Sequence, residues 1–120
     1  MPSILVCDDH DLMRTTMVDL LEQRGYRALE AKTVEQALEQ LEGERPDLVV
    51  MDLRLKGESG IEAIRRIREQ PELRTMPVIL MSGEIDAHSR QWEGAGADGY
   101  LPKPFEVHEL FDAVEALLPG

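Results

Sequence analysis

Hydrophobic positions along the chain follow two alternating patterns. Short unbroken apolar runs predict strands buried on both faces, and stripes repeating every 3 to 4 residues predict amphipathic helices between them. A strand and a helix follow one another about five times, at intervals of roughly 24 residues. The predicted strands are Ile4–Cys7, Arg27–Ala31, Leu48–Met51, Val78–Met81 and Tyr100–Leu101.

The helical stripes lie between these runs. Thr33 is placed to be the N-cap of the second helix. A polar segment, Asp86–Glu93, predicts a short surface helix. The four apolar stripes are Leu12, Met13, Met17, Leu20 and Leu21; Val34, Ala37, Leu38 and Leu41; Ile61, Ile64 and Ile67; and Val107, Leu110, Phe111, Val114, Leu117 and Leu118.

This alternation predicts an α/β fold. Fully apolar strands connected through helices indicate a parallel sheet covered on both faces. The chain has 120 residues, which is too short for an eight-stranded barrel. We therefore expect a flavodoxin-like doubly wound (βα)5 sandwich whose five-stranded parallel sheet has the order 2-1-3-4-5, with residues 1–120 forming one domain.

Composition excludes several classes of function. The chain has 24 acidic and 13 basic residues and a net charge of −11, which argues against direct nucleic-acid binding. No apolar run is long enough to span a membrane, and the N-terminus has no signal pattern. The single cysteine cannot form an internal disulfide, which fits a cytoplasmic location.

Acidic residues follow two of the predicted strands. Asp8 and Asp9 come directly after the first strand, and Asp52 follows the third. In the predicted order these strands are neighbours, so the three carboxylates should converge at the carboxyl edge of the sheet. Such a cluster needs protons or a cation, and Mg²⁺ suits oxygen ligands. The alternative is that Asp9 or Asp11 caps the helix starting near Leu12.

Two further polar residues are predicted at the same edge. Ser82 ends the fourth strand, and Lys103 follows the fifth. A hydroxyl and an ammonium group suit the oxygens of a phosphoryl group on the side away from a metal. Asp52 lies between the acidic pair and these two residues, so we predict that it is a nucleophile forming an aspartyl phosphate.

Four motifs carry a resemblance to a known family. They are DD after the first strand, MDLRLKGESG after the third, LMSGE after the fourth and GADGYLPKPF around the fifth. With these motifs in order along the whole chain, the sequence resembles the response-regulator receiver domain of bacterial two-component signalling, of the chemotaxis-regulator-like kind.

The resemblance implies roles for individual residues and a cis Lys103–Pro104 bond. The phosphoryl donor would be a phosphohistidine on a sensor histidine kinase or a phosphotransfer protein. The implied roles are Asp52 as phosphoacceptor, Asp8, Asp9 and Asp52 around Mg²⁺ together with the backbone carbonyl of Arg54, Lys103 and Ser82 as phosphate contacts, and Tyr100 as the switch aromatic.

Phosphorylation would then act as a switch. A phosphate on Asp52 would draw Ser82 inward and let Tyr100 turn from solvent toward the core, which would reshape the face made by the fourth helix, fifth strand and fifth helix. That face would contact an output domain or a protein partner, and homodimerisation through it is left open. The domain would catalyse only its own phosphorylation and dephosphorylation, and we expect no contact with a membrane.

Two alternative functions use similar topology. An Mg²⁺-dependent phosphatase with an aspartyl-phosphate intermediate would normally have a second aspartate two residues after the nucleophile, where this chain has Arg54. A flavin-binding electron carrier would need a phosphate-binding loop after the first strand, where this chain has CDDHD. We also hypothesise that Arg54 and Glu84 pair across the pocket mouth and slow hydrolysis of the phosphate.

Overall fold

The computed structural model describes residues 1–83 and 91–118. Within these ranges, strands and helices alternate as the sequence predicts. A single 3₁₀ turn, Pro71–Leu73, follows the third helix. The elements in chain order are β1 Ser3–Cys7, α1 Asp11–Gln23, β2 Arg27–Ala31, α2 Val34–Glu44, β3 Leu48–Asp52, β4 Arg54–Leu55, β5 Glu58–Ser59, α3 Gly60–Glu69, β6 Val78–Ser82, α4 Gln91–Gly94, β7 Gly99–Pro102 and α5 Val107–Leu117.

The five longer strands form one parallel sheet in the order β2-β1-β3-β6-β7. Counting only these five, the order is 2-1-3-4-5, so the predicted flavodoxin-like fold is confirmed. All residues of β1, β3 and β6 are buried. The three central strands are thus covered on both faces, which explains why their sequences are continuously apolar.

Alternate residues of the strands pack on opposite faces of the sheet. Leu5 and Val49 belong to a core cluster that includes the buried hydrophobic side chains of α2 and α3. Ile4 and Val50 belong to a second cluster that includes the buried hydrophobic side chains of α1 and α5. The two apolar layers hold the sheet fixed from both sides, so the strand ends that carry the polar residues have a rigid support.

The predicted apolar stripe of α1 is wrong at its first position. Leu12 is 80% exposed, whereas Arg14 is only 5% exposed. The buried face of α1 consists of Arg14, Met17, Val18 and Leu21, a regular i, i+3, i+4, i+7 pattern that begins with a charged residue. A prediction from hydrophobicity alone therefore starts this face at Leu12, whereas the structure starts it at Arg14.

A small hairpin follows β3 that the sequence patterns did not predict. Strands β4 and β5 pair antiparallel, with Arg54 opposite Ser59. The two residues between them, Lys56 and Gly57, both have positive φ angles, of 48° and 82°. Such a two-residue turn matches the twist of a hairpin. Each strand has only two residues, which is too short to show an alternation of hydrophobic and polar positions in the sequence.

Helix caps agree with the sequence at one position and differ at another. Thr33 is the N-cap of α2, and its side chain accepts a hydrogen bond from the Gln36 amide, as predicted. The capping alternative for Asp9 and Asp11 is wrong, because the N-cap position of α1 is His10, without a side-chain cap. Of the predicted helix at residues 86–93, residues 86–90 lie outside the described part of the chain.

Length and hydropathy together rule out a bilayer-spanning helix among residues 1–83 and 91–118.

Gly60, the first residue of α3, packs directly against the end of β3. Its amide donates a hydrogen bond of 2.6 Å to the Leu53 carbonyl. A Cβ atom at this position would lie 2.0 Å from the backbone oxygen of Asp52. Because that contact is with backbone, a larger residue at position 60 would displace the strand end that carries Asp52 or the helix that follows it.

We expect Gly60→Ala to lower the free energy of unfolding by about 3 kcal/mol or more, because backbone must move to admit the methyl group. Gly43→Ala is the matched control. Gly43 lies within α2 with no atom within 4 Å of the added Cβ, so this change should stabilise by about 0.5–1 kcal/mol. Urea unfolding of both variants measures the difference, and equal stabilities would contradict the close approach.

Candidate functional site

The register of β1 and β3 places two aspartates side by side. Cys7 pairs with Met51, so Asp8, which directly follows β1, lies level with Asp52, the last residue of β3. Both side chains are buried, with residue exposures of 0% and 7%. The Asp8 amide donates to the Ala31 carbonyl of β2 at 3.1 Å, which ties the start of the β1–α1 loop to the sheet.

Asp9 completes a cluster of three carboxylates. One oxygen from each of Asp8, Asp9 and Asp52 can be chosen so that all lie within 4.8 Å of one another. Each carboxylate accepts a hydrogen bond from a backbone amide. His10 N donates to Asp8 Oδ1 at 2.9 Å, Lys56 N donates to Asp9 Oδ2 at 2.8 Å, and Arg54 N donates to Asp52 Oδ1 at 3.4 Å. The cluster is therefore held by loop backbone as well as by the sheet.

Lys103 provides positive charge within this cluster. Its Nζ lies 2.8 Å from Asp52 Oδ2 and 3.3 Å from Asp8 Oδ2. The register of the sheet brings it there, because Ser82 pairs with Pro102 and the Lys103 amide donates to the Ser82 carbonyl at 3.2 Å. The peptide between Lys103 and Pro104 is cis, as the family resemblance implied.

Ser82 ends β6 next to these charged groups, with only 3% of its surface exposed. Its backbone carbonyl also accepts a hydrogen bond of 2.6 Å from the hydroxyl of Tyr100. Tyr100 is half-buried, so the solvent-directed starting position expected for its side chain is not the position found.

The polar residues line one shallow cleft of about 230 Å³ at the carboxyl edge of the sheet. This volume equals that of several water molecules, so the cleft has room for a small polyatomic anion beside a metal ion. The lining residues are Asp8, Asp9, His10, Asp52, Leu53, Arg54, Ser82, Gly83 and Lys103.

Burial and charge act in opposite directions in the cleft. Burial raises the pKa of Asp52, and the negative charge of Asp8 adds to this effect, although the Lys103 hydrogen bond and charge oppose it. Burial alone would lower the pKa of Lys103, but its hydrogen bond to Asp52 and the charges of Asp52 and Asp8 raise it. The lysine therefore stays cationic, while Asp52 is less acidic than an ordinary aspartate.

Comparison with known proteins identifies the family. The family model for the response regulator receiver domain matches residues 4–115. The chain belongs to this family. Receiver domains are signalling modules rather than classical enzymes, and the match gives no support to the phosphatase alternative.

Curated relatives of this receiver domain include two different kinds of regulator. The phosphate regulon transcriptional regulatory protein PhoB of Escherichia coli is 35% identical over 117 residues, which are 96% of this chain and 51% of PhoB. The chain thus spans about half the length of PhoB. Sporulation initiation phosphotransferase F of Bacillus subtilis is 34% identical over 116 residues, which are 97% of this chain and 93% of that protein.

Solved structures agree with the fold of the receiver domain. The chemotaxis protein CheY4 of Vibrio cholerae has a TM-score of 0.91 and 25% identity, over 98% of this chain and 99% of that one. The receiver domain of the sensor histidine kinase PA1611 from Pseudomonas aeruginosa has a TM-score of 0.87 and 31% identity, over 97% and 96% of the two chains. That structure is described as having a magnesium ion coordinated in its active site cleft.

The residues predicted for the cleft lie together in the receiver domain. Asp8, Asp9, Asp52, Ser82 and Lys103 all line it. Arg54 also lines it, at the start of the hairpin. Glu84, the proposed partner of Arg54, lies outside the described residues, so that pairing stays a prediction.

Sequence reasoning missed two residues that support the cleft. Lys56 holds Asp9 through its backbone amide, and the signal for this was only the Lys-Gly turn between two short segments. Arg14 is buried beneath the Asp8–Asp9 loop and donates to the Asp8 carbonyl at 3.1 Å. Arg14 stands three residues before Met17, four before Val18 and seven before Leu21, which is the spacing of one helix face. That spacing could have indicated its burial if charged residues had been considered for the buried face.

The residues present fit a divalent cation. Carboxylate oxygens are the ligands that Mg²⁺ prefers, and the three carboxylates already converge. They also carry more negative charge than Lys103 alone can balance, so a further cation would relieve their repulsion.

We expect Asp52→Asn to stabilise the metal-free protein at neutral pH by about 1 kcal/mol. With the raised pKa, the folded protein binds the Asp52 proton more readily than the unfolded chain does. The contribution of Asp52 to wild-type stability therefore falls as pH rises above the ordinary value of 3.8 and through the folded pKa, and a neutral amide avoids this loss. Urea unfolding in a chelator at several pH values should show the gap widening with pH.

The exposed Asp19 of α1 supplies the control. Asp19→Asn should leave stability nearly unchanged across the same pH range. If Asp52→Asn were instead less stable than wild type at every pH, the contact with Lys103 would outweigh the cost of burying the Asp52 charge.

Proposed function

We propose that this receiver domain accepts a phosphoryl group on Asp52 from the phosphohistidine of a sensor histidine kinase or phosphotransfer protein. The observation that carries the proposal is the convergence of Asp8, Asp9, Asp52 and Lys103 at the carboxyl edge of the sheet. Residues 1–120 would act as one receiver unit, in the cytoplasm.

The transfer would be a substitution at phosphorus. A carboxylate oxygen of Asp52 forms a bond to phosphorus while the bond from phosphorus to the imidazole nitrogen breaks, and the electron pair stays on the imidazole. The reaction needs chiefly alignment and neutralisation of the phosphoryl oxygens. Lys103, already 2.8 Å from Asp52, would neutralise them, and the Ser82 hydroxyl would donate a hydrogen bond.

Mg²⁺ would be held by Asp8, Asp9 and Asp52, with the backbone carbonyl of Arg54 as a further oxygen ligand. When bound, the ion supplies charge that offsets the negative charge of the phosphoryl oxygens. The magnesium ion described in the PA1611 receiver domain supports this assignment. The chain's own contribution is to hold the three carboxylates in place with the backbone amides of His10, Lys56 and Arg54.

The response to phosphorylation would pass through Ser82. A phosphate on Asp52 would attract the Ser82 hydroxyl, and the Tyr100 hydroxyl is bound to the carbonyl of the same residue. A shift at the end of β6 would therefore reach the surface formed by α4, β7 and α5, where an output domain, a protein partner or a second copy would bind. PhoB, whose name describes a transcriptional regulator, extends well beyond the matched region, which supports an output domain.

A stoichiometric chemical test follows. With acetyl phosphate and Mg²⁺, we expect one phosphoryl group per chain by intact-protein mass spectrometry, because the carboxylate can displace acetate as it would displace imidazole. Asp52→Asn should show no adduct, whereas Asp19→Asn should be labelled like wild type. Removal of Mg²⁺ with a chelator should lower labelling by about 10²-fold or more, since charge neutralisation is lost.

Three outcomes would overturn the proposal. Labelling that persists in Asp52→Asn would place the acceptor elsewhere. Many turnovers of a free phosphate ester would instead favour the phosphatase, and a bound yellow flavin would favour the electron carrier.

A further inference from the structure

Arg14 is a buried cation beneath the acidic loop. It starts the buried face of α1, and only 5% of its surface is exposed. Its guanidinium donates hydrogen bonds to three different groups. Nη1 donates to the Asp8 carbonyl at 3.1 Å, Nη2 to Asp11 Oδ1 at 2.8 Å, and Nε to Glu30 Oε1 at 2.9 Å.

Packing alone gives no reason for an arginine at this place. An apolar residue would fill the same position on the α1 face without the cost of burying a charge, and such replacements are often neutral or stabilising. What an apolar residue cannot do is donate hydrogen bonds in a fixed planar fork to groups from three segments. The three acceptors belong to the β1–α1 loop, the first turn of α1 and strand β2.

The contact with the Asp8 carbonyl fixes a particular peptide. That carbonyl belongs to the peptide unit joining Asp8 to Asp9, so its orientation sets the direction in which both side chains leave the backbone. The Asp8 carboxylate is fixed from the other side by the His10 amide at 2.9 Å. Glu30 holds the guanidinium in turn, and Arg14 thereby connects the loop to β2.

We propose that Arg14 is a positioning residue for the metal site, holding the Asp8–Asp9 peptide in the orientation that lets both carboxylates face one cation. The proposal deepens the proposed function, since it rests on Mg²⁺ binding by these residues. Arg14 is not among the residues that line the cleft, so it would act on the ion only through the Asp8–Asp9 backbone.

Positioning and simple electrostatics predict opposite results, which makes the proposal testable. Removing a positive charge near three carboxylates would by itself attract a divalent cation more strongly. Loss of the fork would instead let the loop reorient and weaken binding. Partners that orient metal ligands typically contribute 10- to 100-fold to metal affinity. Because Arg14 acts through the backbone and not on a ligand atom, we expect its loss to weaken Mg²⁺ affinity by about three- to tenfold, at or below the lower end of that range.

Calorimetric titration of the metal-free chain with Mg²⁺ measures this directly. Arg14→Gln should raise the Kd by about three- to tenfold. Arg14→Lys should also raise it, because lysine keeps the charge but not the fork. Arg27→Gln is the matched control. Arg27 is an exposed arginine at the opposite end of β2 that pairs with Glu44 at 3.2 Å, and its loss should leave the Kd within about twofold.

A second measurement needs no metal. Hydrogen exchange of the His10 amide in the chelated protein should be roughly tenfold faster in Arg14→Gln than in wild type, because the loop loses a charged hydrogen bond. Amides in the centre of β3 should keep their wild-type rates at a temperature where circular dichroism shows both proteins folded. If Arg14→Gln does not fold, Arg14→Lys and Glu30→Gln carry the same test.

An unchanged or lower Kd in folded Arg14→Gln, or an unchanged His10 exchange rate, would overturn the positioning role. A wild-type Kd retained by Arg14→Lys would also overturn it, since the charge would then suffice. Failure of wild type to bind Mg²⁺ would count against the proposed function instead, and the exchange measurement would still decide the role of Arg14.

Discussion

Repulsion between carboxylates at one edge of a parallel sheet is the constraint on which the rest of this structure depends. The register of β1 and β3 puts Asp8 and Asp52 at the same level, and the sheet gives neither residue freedom to move away. Their charges must be balanced where they are. Lys103 contacts both, and it is brought there by the same kind of parallel register between β6 and β7.

Neutralisation by Lys103 is incomplete, and this explains the chemical character of the cleft. Lys103 contacts Asp8 and Asp52, two of the three converging carboxylates, so the site retains an attraction for a further cation. Asp52 is raised in pKa by burial while being held by a cation at 2.8 Å. A buried carboxylate with a raised pKa is a better electron-pair donor than an exposed one, which is the property that the proposed role of phosphoacceptor needs.

Much of the architecture could be predicted from the sequence, because continuous apolar runs identify buried parallel strands and strand order then determines which strand ends meet. The placement of Asp8, Asp52, Ser82 and Lys103 at one edge of the sheet follows from this order, and all four line the same cleft. Leu12 and Arg14 show the limit of the approach. The chain buries the arginine and exposes the leucine, since hydrogen bonds to the Asp8 carbonyl, Asp11 and Glu30 satisfy the guanidinium. Those contacts join three segments of the chain, so they produce no periodic pattern in the sequence.

The position of Tyr100 was also beyond the sequence, because it depends on one backbone acceptor. The Ser82 carbonyl receives both the Tyr100 hydroxyl and the Lys103 amide. Ser82 therefore has two separable roles: it lines the cleft, and its main-chain oxygen holds the aromatic ring and the neighbouring strand. Changing the residue type at position 82 alters the group facing the cleft but leaves the oxygen that anchors the aromatic ring. The lining of the cleft and the backbone link to the neighbouring strand can thus vary independently at this one position.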